Sequence, residues 1–220
     1  MKKAVVLLSG GLDSSTTLYY AKSRGYDCAC LIFDYGQRHR KEVETAKRIA
    51  RSCKVPYQVV RFTMPWKGSA LLDKKIAVPK GRRIGKAIPP TYVPSRNTVF
   101  LSFGVSYAEA IGASAVFIGA NAVDYSGYPD CRPLHYRIFN ELIRFGTKAG
   151  IEKKKIEVLT PLINMTKADI INLGQKLGVP YHKTWSCYSG GRRPCGECDS
   201  CVIRVKGFRE AKIADPLTGI

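Results

Sequence analysis

The stretch that most constrains this chain is Ser9-Gly10-Gly11-Leu12-Asp13-Ser14, placed directly behind the apolar run Ala4-Val5-Val6-Leu7-Leu8. An unbroken apolar run of that length reads as a strand buried on both faces of a parallel sheet. The residues from Ser14 to Lys22 read as a helix that begins at Asp13 or Ser14. A strand, adjacent glycines and a helix N-terminus together make an anion site. The glycines let the backbone approach a phosphate closely, and the unpaired N–H groups and helix dipole favour negative charge. Hydroxyls of Ser9, Ser14 and Ser15 add donors. An ordinary turn uses the same residue types, so the weight lies in the whole stretch agreeing with its context. The loop has no lysine, unlike GxxxxGK[ST], and its glycines are adjacent, unlike GxGxxG.

Beyond this loop, strand patterns at 26–33, 57–62, 115–119 and 156–159 alternate with helix patterns at about 39–53, 96–112 and 134–149 and from Thr166 onward. Such alternation implies a parallel sheet with right-handed crossovers. Thr166 and Asp169 form an acidic variant of the capping box, and Gly178 with Pro180 ends that helix. Cys28 and Cys30 share one strand face and read as buried structural thiols. Asp34 to His39 follow at a strand's carboxyl end, where open α/β sheets bind ligands. Residues 63–94 break the rhythm with several prolines and the basic cluster Lys80, Arg82, Arg83 and Lys86. A connection that long is a lid, a binding loop or a solvated segment.

A chain of 220 residues with 45% hydrophobic content is long enough for a real core and is not disordered. No apolar run is long enough to span a bilayer, and Met1-Lys2-Lys3 leads straight into the first strand. The expectation is therefore a cytoplasmic protein without membrane association. The formal charge of +19 suits nucleotides, RNA or an anionic surface and does not choose among them.

Of eight cysteines, four cluster as Cys187, Cys195, Cys198 and Cys201, while Cys28, Cys30, Cys53 and Cys131 are scattered. In a reducing compartment, clustered cysteines read as metal ligands rather than disulfides. Four thiolates complete a tetrahedral zinc site and leave no open position, so the metal is expected to be structural. The rival is an iron–sulfur cluster, whose C-x2-C-x2-C run continues to a cysteine followed by proline. Here Cys201 is followed by Val202.

The phosphate loop resembles that of the N-type ATP pyrophosphatases, which adenylate an oxygen and release pyrophosphate. Three further stretches narrow the resemblance: Val93-Pro94-Ser95-Arg96-Asn97, Gly119 to Arg132 with Asp124-Tyr125-Ser126-Gly127-Tyr128-Pro129-Asp130-Cys131-Arg132, and Thr184-Trp185-Ser186-Cys187 with the downstream cysteines. Together they resemble the 7-cyano-7-deazaguanine synthase family of queuosine and archaeosine biosynthesis over nearly the whole chain. Ser95 stands where many members have glycine, and the basic stretch 80–86 is not a family motif. The resemblance implies a five-stranded parallel, Rossmann-like α/β sheet of the adenine-nucleotide alpha-hydrolase type. It places a pyrophosphatase domain at 1–180 and a four-cysteine zinc-binding segment at 181–220 on the same domain.

It also implies an ATP-dependent carbon–nitrogen ligase. The carboxylate of 7-carboxy-7-deazaguanine is adenylated, free ammonia displaces AMP, and a second ATP activates the amide so that elimination yields the nitrile. Leu8, Ser9, Gly10, Gly11, Leu12, Asp13, Ser14, Ser15, Thr16, Thr17 and Leu18 would bind ATP with Mg²⁺, Asp13 lying near the metal or orienting the loop. Lys167 is a candidate phosphate contact, or a solvated lysine. Arg96 is a clamp for phosphate or carboxylate, or a helix-surface charge. Asp124 and Asp130 suit the N–H donors of the base, or cap their loop as Asp commonly does, and Arg132 suits the substrate carboxylate or pairs with a nearby acid. Cys131 and His135 suggest a thiol nucleophile that the adenylation route does not need, and His182 reads as packing near the cysteines or as a support to them rather than as a ligand. A homodimer is implied, and direct nucleic-acid binding is not. The alternatives are a pyrophosphatase that adenylates or thiolates a base within tRNA, and a non-catalytic zinc module using the loop for backbone phosphate.

Overall fold

The computed structural model describes residues 1–81, 85, 87–123 and 127–219. Five strands form one parallel sheet: β1 (Lys3–Leu7), β2 (Asp27–Asp34), β3 (Tyr57–Arg61), β4 (Ala115–Ile118) and β5 (Glu157–Leu159), in the order β3-β2-β1-β4-β5. Leu7 stands opposite Leu31 on one side and Ile118 on the other. The chain runs from β1 toward β3 in one direction and then returns to β4 on the other side of β1. The carboxyl ends of β1 and β4 therefore flank the point where strand order reverses, the place where open sheets of this kind hold ligands.

Period-2 alternation sorts the central strands between two helical layers. Val5, Leu7, Leu31 and Phe33 face α3 (Arg96–Ile111) and α4 (Pro133–Gly146), meeting Leu101, Val105, Tyr136, Phe139 and Ile143. Ala4, Val6, Leu8 and Ile32 face α1 (Leu12–Ser23) and α2 (Lys41–Ser52), meeting Leu18, Val43, Ala46 and Ile49. Cys28 and Cys30 are buried in this second layer as ordinary apolar packing, as expected, and Cys53 is buried beside them.

Two helix boundaries differ from expectation. The segment before α2 is a turn in which Tyr35 N–H donates to Gln37 Oε1 at 2.8 Å and Gln37 Nε2 donates to Phe33 O at 3.1 Å, so α2 starts at Lys41. The 134–149 pattern breaks at Thr147, whose backbone is extended and whose side-chain Oγ1 caps the short α5 (Lys148–Ile151) by accepting from Gly150 N–H at 3.0 Å.

Helix α6 (Lys167–Lys176) carries the expected reciprocal capping box between Thr166 and Asp169. It packs on α7 (Asp199–Glu210) through Ile170, Ile171 and Phe208. The α7 residue Arg204 is locked to the buried carboxylate of Asp215 at 2.7 and 2.8 Å. The 63–94 connection is not a free solvated loop in its described part. Met64, Ala70, Leu71 and Val93 are buried, Arg38 donates to the Ala70 and Ile76 carbonyls at 3.1 Å, and Lys80 pairs with Glu197 at 2.8 Å. Arg82, Arg83 and Lys86 lie outside the described residues. Among the described residues no helix is long and apolar enough to cross a membrane.

Candidate active site

The phosphate loop joins β1 to α1 at the sheet's reversal point. Its serines brace it: Ser14 Oγ lies 3.0 Å from Ser9 Oγ and accepts from Ser9 N–H at 3.2 Å, and Ser14 Oγ–H reaches Gly11 O at 3.3 Å. Gly10 has φ +79°, and a Cβ there would stand 2.5 Å from Ala46 N in α2. Only glycine allows that conformation and that closeness together. The close seating brings the first turn of α2 onto the loop.

A cavity of about 300 Å³ opens over this loop. Leu8, Ser9, Gly11, Leu12, Asp13 and Ser14 line one side. Ser15, Thr16 and Thr17 are fully buried in the body of α1 and Leu18 packs in the core, so these four lie behind the wall. Thr16 Oγ1 is engaged with Leu12 O and Tyr181 OH at 2.9 Å each, and Thr17 Oγ1 with Asp13 O at 2.9 Å.

Lys167 is not a solvated lysine. Helix α6 begins beside α1, which brings Lys167 Nζ to 2.7 Å from both carboxylate oxygens of Asp13. Both line the cavity. Arg96 is not a plain helix-surface charge either. It lines the cavity from the first residue of α3 and donates to Tyr35 OH at 3.1 Å, its guanidinium 5.9 Å from the Tyr35 and Phe100 ring centroids. Ser95, just before it, has φ +51°, a left-handed conformation that glycine adopts without strain.

The expected base-reading residues fall differently. Asp130 is buried in the 3-10 turn Pro129–Cys131 and does not line the cavity. Its Oδ2 accepts Asn97 N–H at 3.0 Å, closing the start of α3, while Oδ1 is buried without a partner among the described residues. Asn97 and Cys131, on either side of it, do reach the wall. Arg132 is exposed at the start of α4 and outside the wall, because the 3-10 turn directs it away. Asp124 lies outside the described residues.

Cys131 is no activated thiol. Burial pushes it up to about 12, and its sulfur accepts from the Asn97 amide at 3.3 Å. His135 instead packs edge-on to Tyr136.

The cysteine segment contributes Trp185, Ser186, Tyr188 and Ser200 to the cavity wall, with the four cysteines behind them. Sγ atoms of Cys187, Cys195, Cys198 and Cys201 all lie within 4.8 Å of one another. A tetrahedron of thiolates at 2.3 Å from zinc has edges of about 3.8 Å, and Cys195 Sγ lies 3.9 Å from Cys201 Sγ. Backbone N–H groups of Ser189 and Cys195 point at Cys187 Sγ at 3.4 and 3.3 Å, and Cys198 N–H points at Cys195 Sγ at 3.3 Å. Such donors stabilise thiolate charge, so the donor set fits a metal ion and is consistent with zinc.

The expected packing role of His182 is overturned. The 3-10 turn Tyr181–Lys183 directs Tyr181 inward and leaves His182 exposed. His39 is the imidazole at the cluster, its Nε2 donating to Cys187 O at 3.1 Å.

Sequence reasoning missed several wall residues: Tyr35, Glu42, Phe100 and Tyr188, with Trp185 present in a quoted motif but given no task. Trp185 joins the two centres. Its N–H donates to Gly10 O at 3.0 Å and its Nε1–H to Cys187 O at 2.9 Å, while the Lys41 ammonium sits 3.4 Å above its ring. Glu42, second residue of α2, carries no local signal beyond an acid in a helix's first turn.

The model of the family described as queuosine biosynthesis protein QueC matches residues 3–212. The 7-cyano-7-deazaguanine synthase of Trichodesmium erythraeum is 53% identical over 220 residues, covering 98% of this chain and 99% of that protein. The enzyme of the same name from Thermoplasma acidophilum is 52% identical over 218 residues, covering 98% and 91%. Among solved structures, a predicted subunit of tRNA methyltransferase from Methanocaldococcus jannaschii matches with TM-score 0.50 and 18% identity, over 80% of this chain and 74% of that one. That likeness speaks for the fold alone.

Proposed function

The chain belongs to the QueC queuosine biosynthesis family, and on that premise we propose that it converts 7-carboxy-7-deazaguanine and ammonia to 7-cyano-7-deazaguanine at the expense of ATP. The observation that carries the reading is the pairing of Asp13 with Lys167 at the floor of a cavity rimmed by a phosphate loop. A triphosphate seated on Ser9, Gly10, Gly11 and Ser14 meets N–H donors, a helix dipole and the Lys167 ammonium. These contacts position the α-phosphate and stabilise charge as it develops. The side chain of Asp13 retains 27% exposure, which suits it to hold Mg²⁺ arriving with ATP. Bound there, the ion would neutralise phosphate charge.

Arg96, rather than Arg132, is assigned the substrate carboxylate, because Arg96 alone of the two lines the cavity. Asp130 is assigned the guanine-like N–H edge: it stands directly behind the wall residues Asn97 and Cys131, and its Oδ1, without a partner among the described residues, is an acceptor that a donor reaching past them would satisfy. Asp124 is kept with it. The metal is structural zinc held by Cys187, Cys195, Cys198 and Cys201. ATP and a free-base substrate suit a cytoplasmic enzyme. A homodimer contact is assigned to the outer face of α4, where Leu134, Ile138, Leu142 and Phe145 form an exposed apolar stripe at helical spacing.

The test is pyrophosphate release with 7-carboxy-7-deazaguanine and ammonium, then with tRNA in place of the free base. Release with the free base and nitrile as product supports the reading. Release with tRNA alone favours the tRNA-modifying alternative.

A further inference from the structure

The described wall of the cavity carries two carboxylates, Asp13 and Glu42. Asp13 is engaged by Lys167 through both oxygens. Glu42 stands at the other side of the phosphate loop, on the turn of α2 that Gly10 allows to approach: a Cβ at Gly10 would lie 2.9 Å from Glu42 O. Arg96 of α3 and Tyr35 at the end of β2 share that wall, and Cys187 of the cysteine segment lies within electrostatic range. Glu42 is an acid in the first turn of α2 set into a site built for anions. Setting a carboxylate in such a place costs stability that Arg96 only partly offsets, and costs of this kind concentrate where chemistry needs them.

We propose that Glu42 is the general base that removes protons from nitrogen during amide and nitrile formation. The inference rests on the activity proposed above. Ammonia enters with three hydrogens and the nitrile nitrogen has none, so each has to leave. In amide formation the N–C bond forms, the C–O bond to AMP breaks with its electron pair going to the phosphate, and the surplus N–H proton passes to Glu42. After the amide oxygen has displaced pyrophosphate from the second ATP, the remaining two protons leave nitrogen as the C–O bond breaks and C≡N forms. Glu42 takes them one at a time and releases each to water through the cavity mouth. Adenylation of the starting carboxylate involves no N–H proton and does not require Glu42. Burial raises its carboxyl to about 7, against the pull of Arg96, which matches a base that must both accept and release protons near neutrality.

The experiment separates the steps. Exchange of labelled pyrophosphate into ATP, dependent on 7-carboxy-7-deazaguanine, reports adenylation alone, and product analysis with ammonium or with the amide reports the nitrogen steps. For Glu42→Gln, exchange should stay within a few-fold of the parent. Amide and nitrile formation should fall about 10²–10⁴-fold, the usual worth of general base catalysis. Formate should restore part of the rate to Glu42→Ala. Glu42→Asp, which keeps the charge, should keep a larger share of nitrile formation than Glu42→Gln. Exchange falling in parallel with nitrile formation in both Gln and Asp variants, or nitrile formation unchanged in Glu42→Gln, overturns the assignment. Absence of exchange in the parent protein overturns the proposed function itself, and the base with it.

Discussion

Lys167 Nζ lies 2.7 Å from both oxygens of Asp13 across 154 residues of chain. The pair ties the start of α6 to the start of α1 and sets a cation beside the phosphate loop. Lys167→Met should leave an unmatched carboxylate in the site and damage ATP turnover. Asp13→Ala should lose about 2.7–4 kcal/mol of transition-state stabilisation, the usual range for a charge-stabilising contact. The double variant should be less than additive, because each single change already removes the pair. Pyrophosphate-release kinetics beside thermal melts check this; full turnover in both single variants would move ATP elsewhere.

Metal loss should reach the phosphate loop through Trp185, which donates to both Gly10 O and Cys187 O. Purified protein is expected to be colourless with about one zinc per chain. Cys198→Ala should lower metal content and melting temperature together, since structural metal binding is folding free energy. ATP affinity should fall with them. A brown preparation would point to an iron–sulfur cluster instead.

Ser95 holds a left-handed backbone at φ +51° immediately before Arg96. That conformation costs a non-glycine residue about 1–2 kcal/mol, and glycine returns part of it as unfolded-chain entropy. Ser95→Gly should therefore raise stability by up to about 1 kcal/mol. Denaturant melts resolve that change, and a clear loss of stability would contradict the reading.

Asp130→Asn retains an acceptor for Asn97 N–H and replaces the partnerless Oδ1 with an N–H₂ donor. Deazapurine affinity should drop by about 1–3 kcal/mol, the cost of an unmatched buried polar group, with ATP affinity near normal. Calorimetric titration with each ligand separates the two. Weakened ATP with unchanged deazapurine would assign Asp130 to the nucleotide side.

Glu42 gives a pH signature. Its carboxyl rises from 4.5 to about 7 on folding, chiefly through burial, with Arg96 opposing and Cys187 adding to the rise. Between those values the native state holds a proton that the unfolded chain has released, so charging Glu42 in place lowers stability as pH rises through that window. Glu42→Gln should melt above the parent at pH 8 and level with it at pH 4. Equal shifts at both values would show that burial does not hold the carboxyl protonated.

The strand-loop-helix around Ser9 to Ser14, the alternation that yields a parallel sheet, the Thr166 capping box and the four-cysteine cluster were legible in the sequence. Each depends on residues near in the chain, where turn chemistry, hydrophobic period and ligand spacing act locally. The break at Thr147 escaped because periodicity carries across a one-residue interruption.

The composition of the cavity was decided by the tertiary structure alone. Asp13 meets Lys167, Arg96 meets Tyr35, and Trp185 seats on Gly10 only because strand order reverses at β1 and brings α1, α3, α6 and the cysteine segment to one end of the sheet. Glu42 and His39 acquire their environments the same way, since burial and partners are properties of packing between segments far apart in sequence. Local pattern can nominate an aspartate or a histidine; the solvent it loses and the charge it faces are set by the fold.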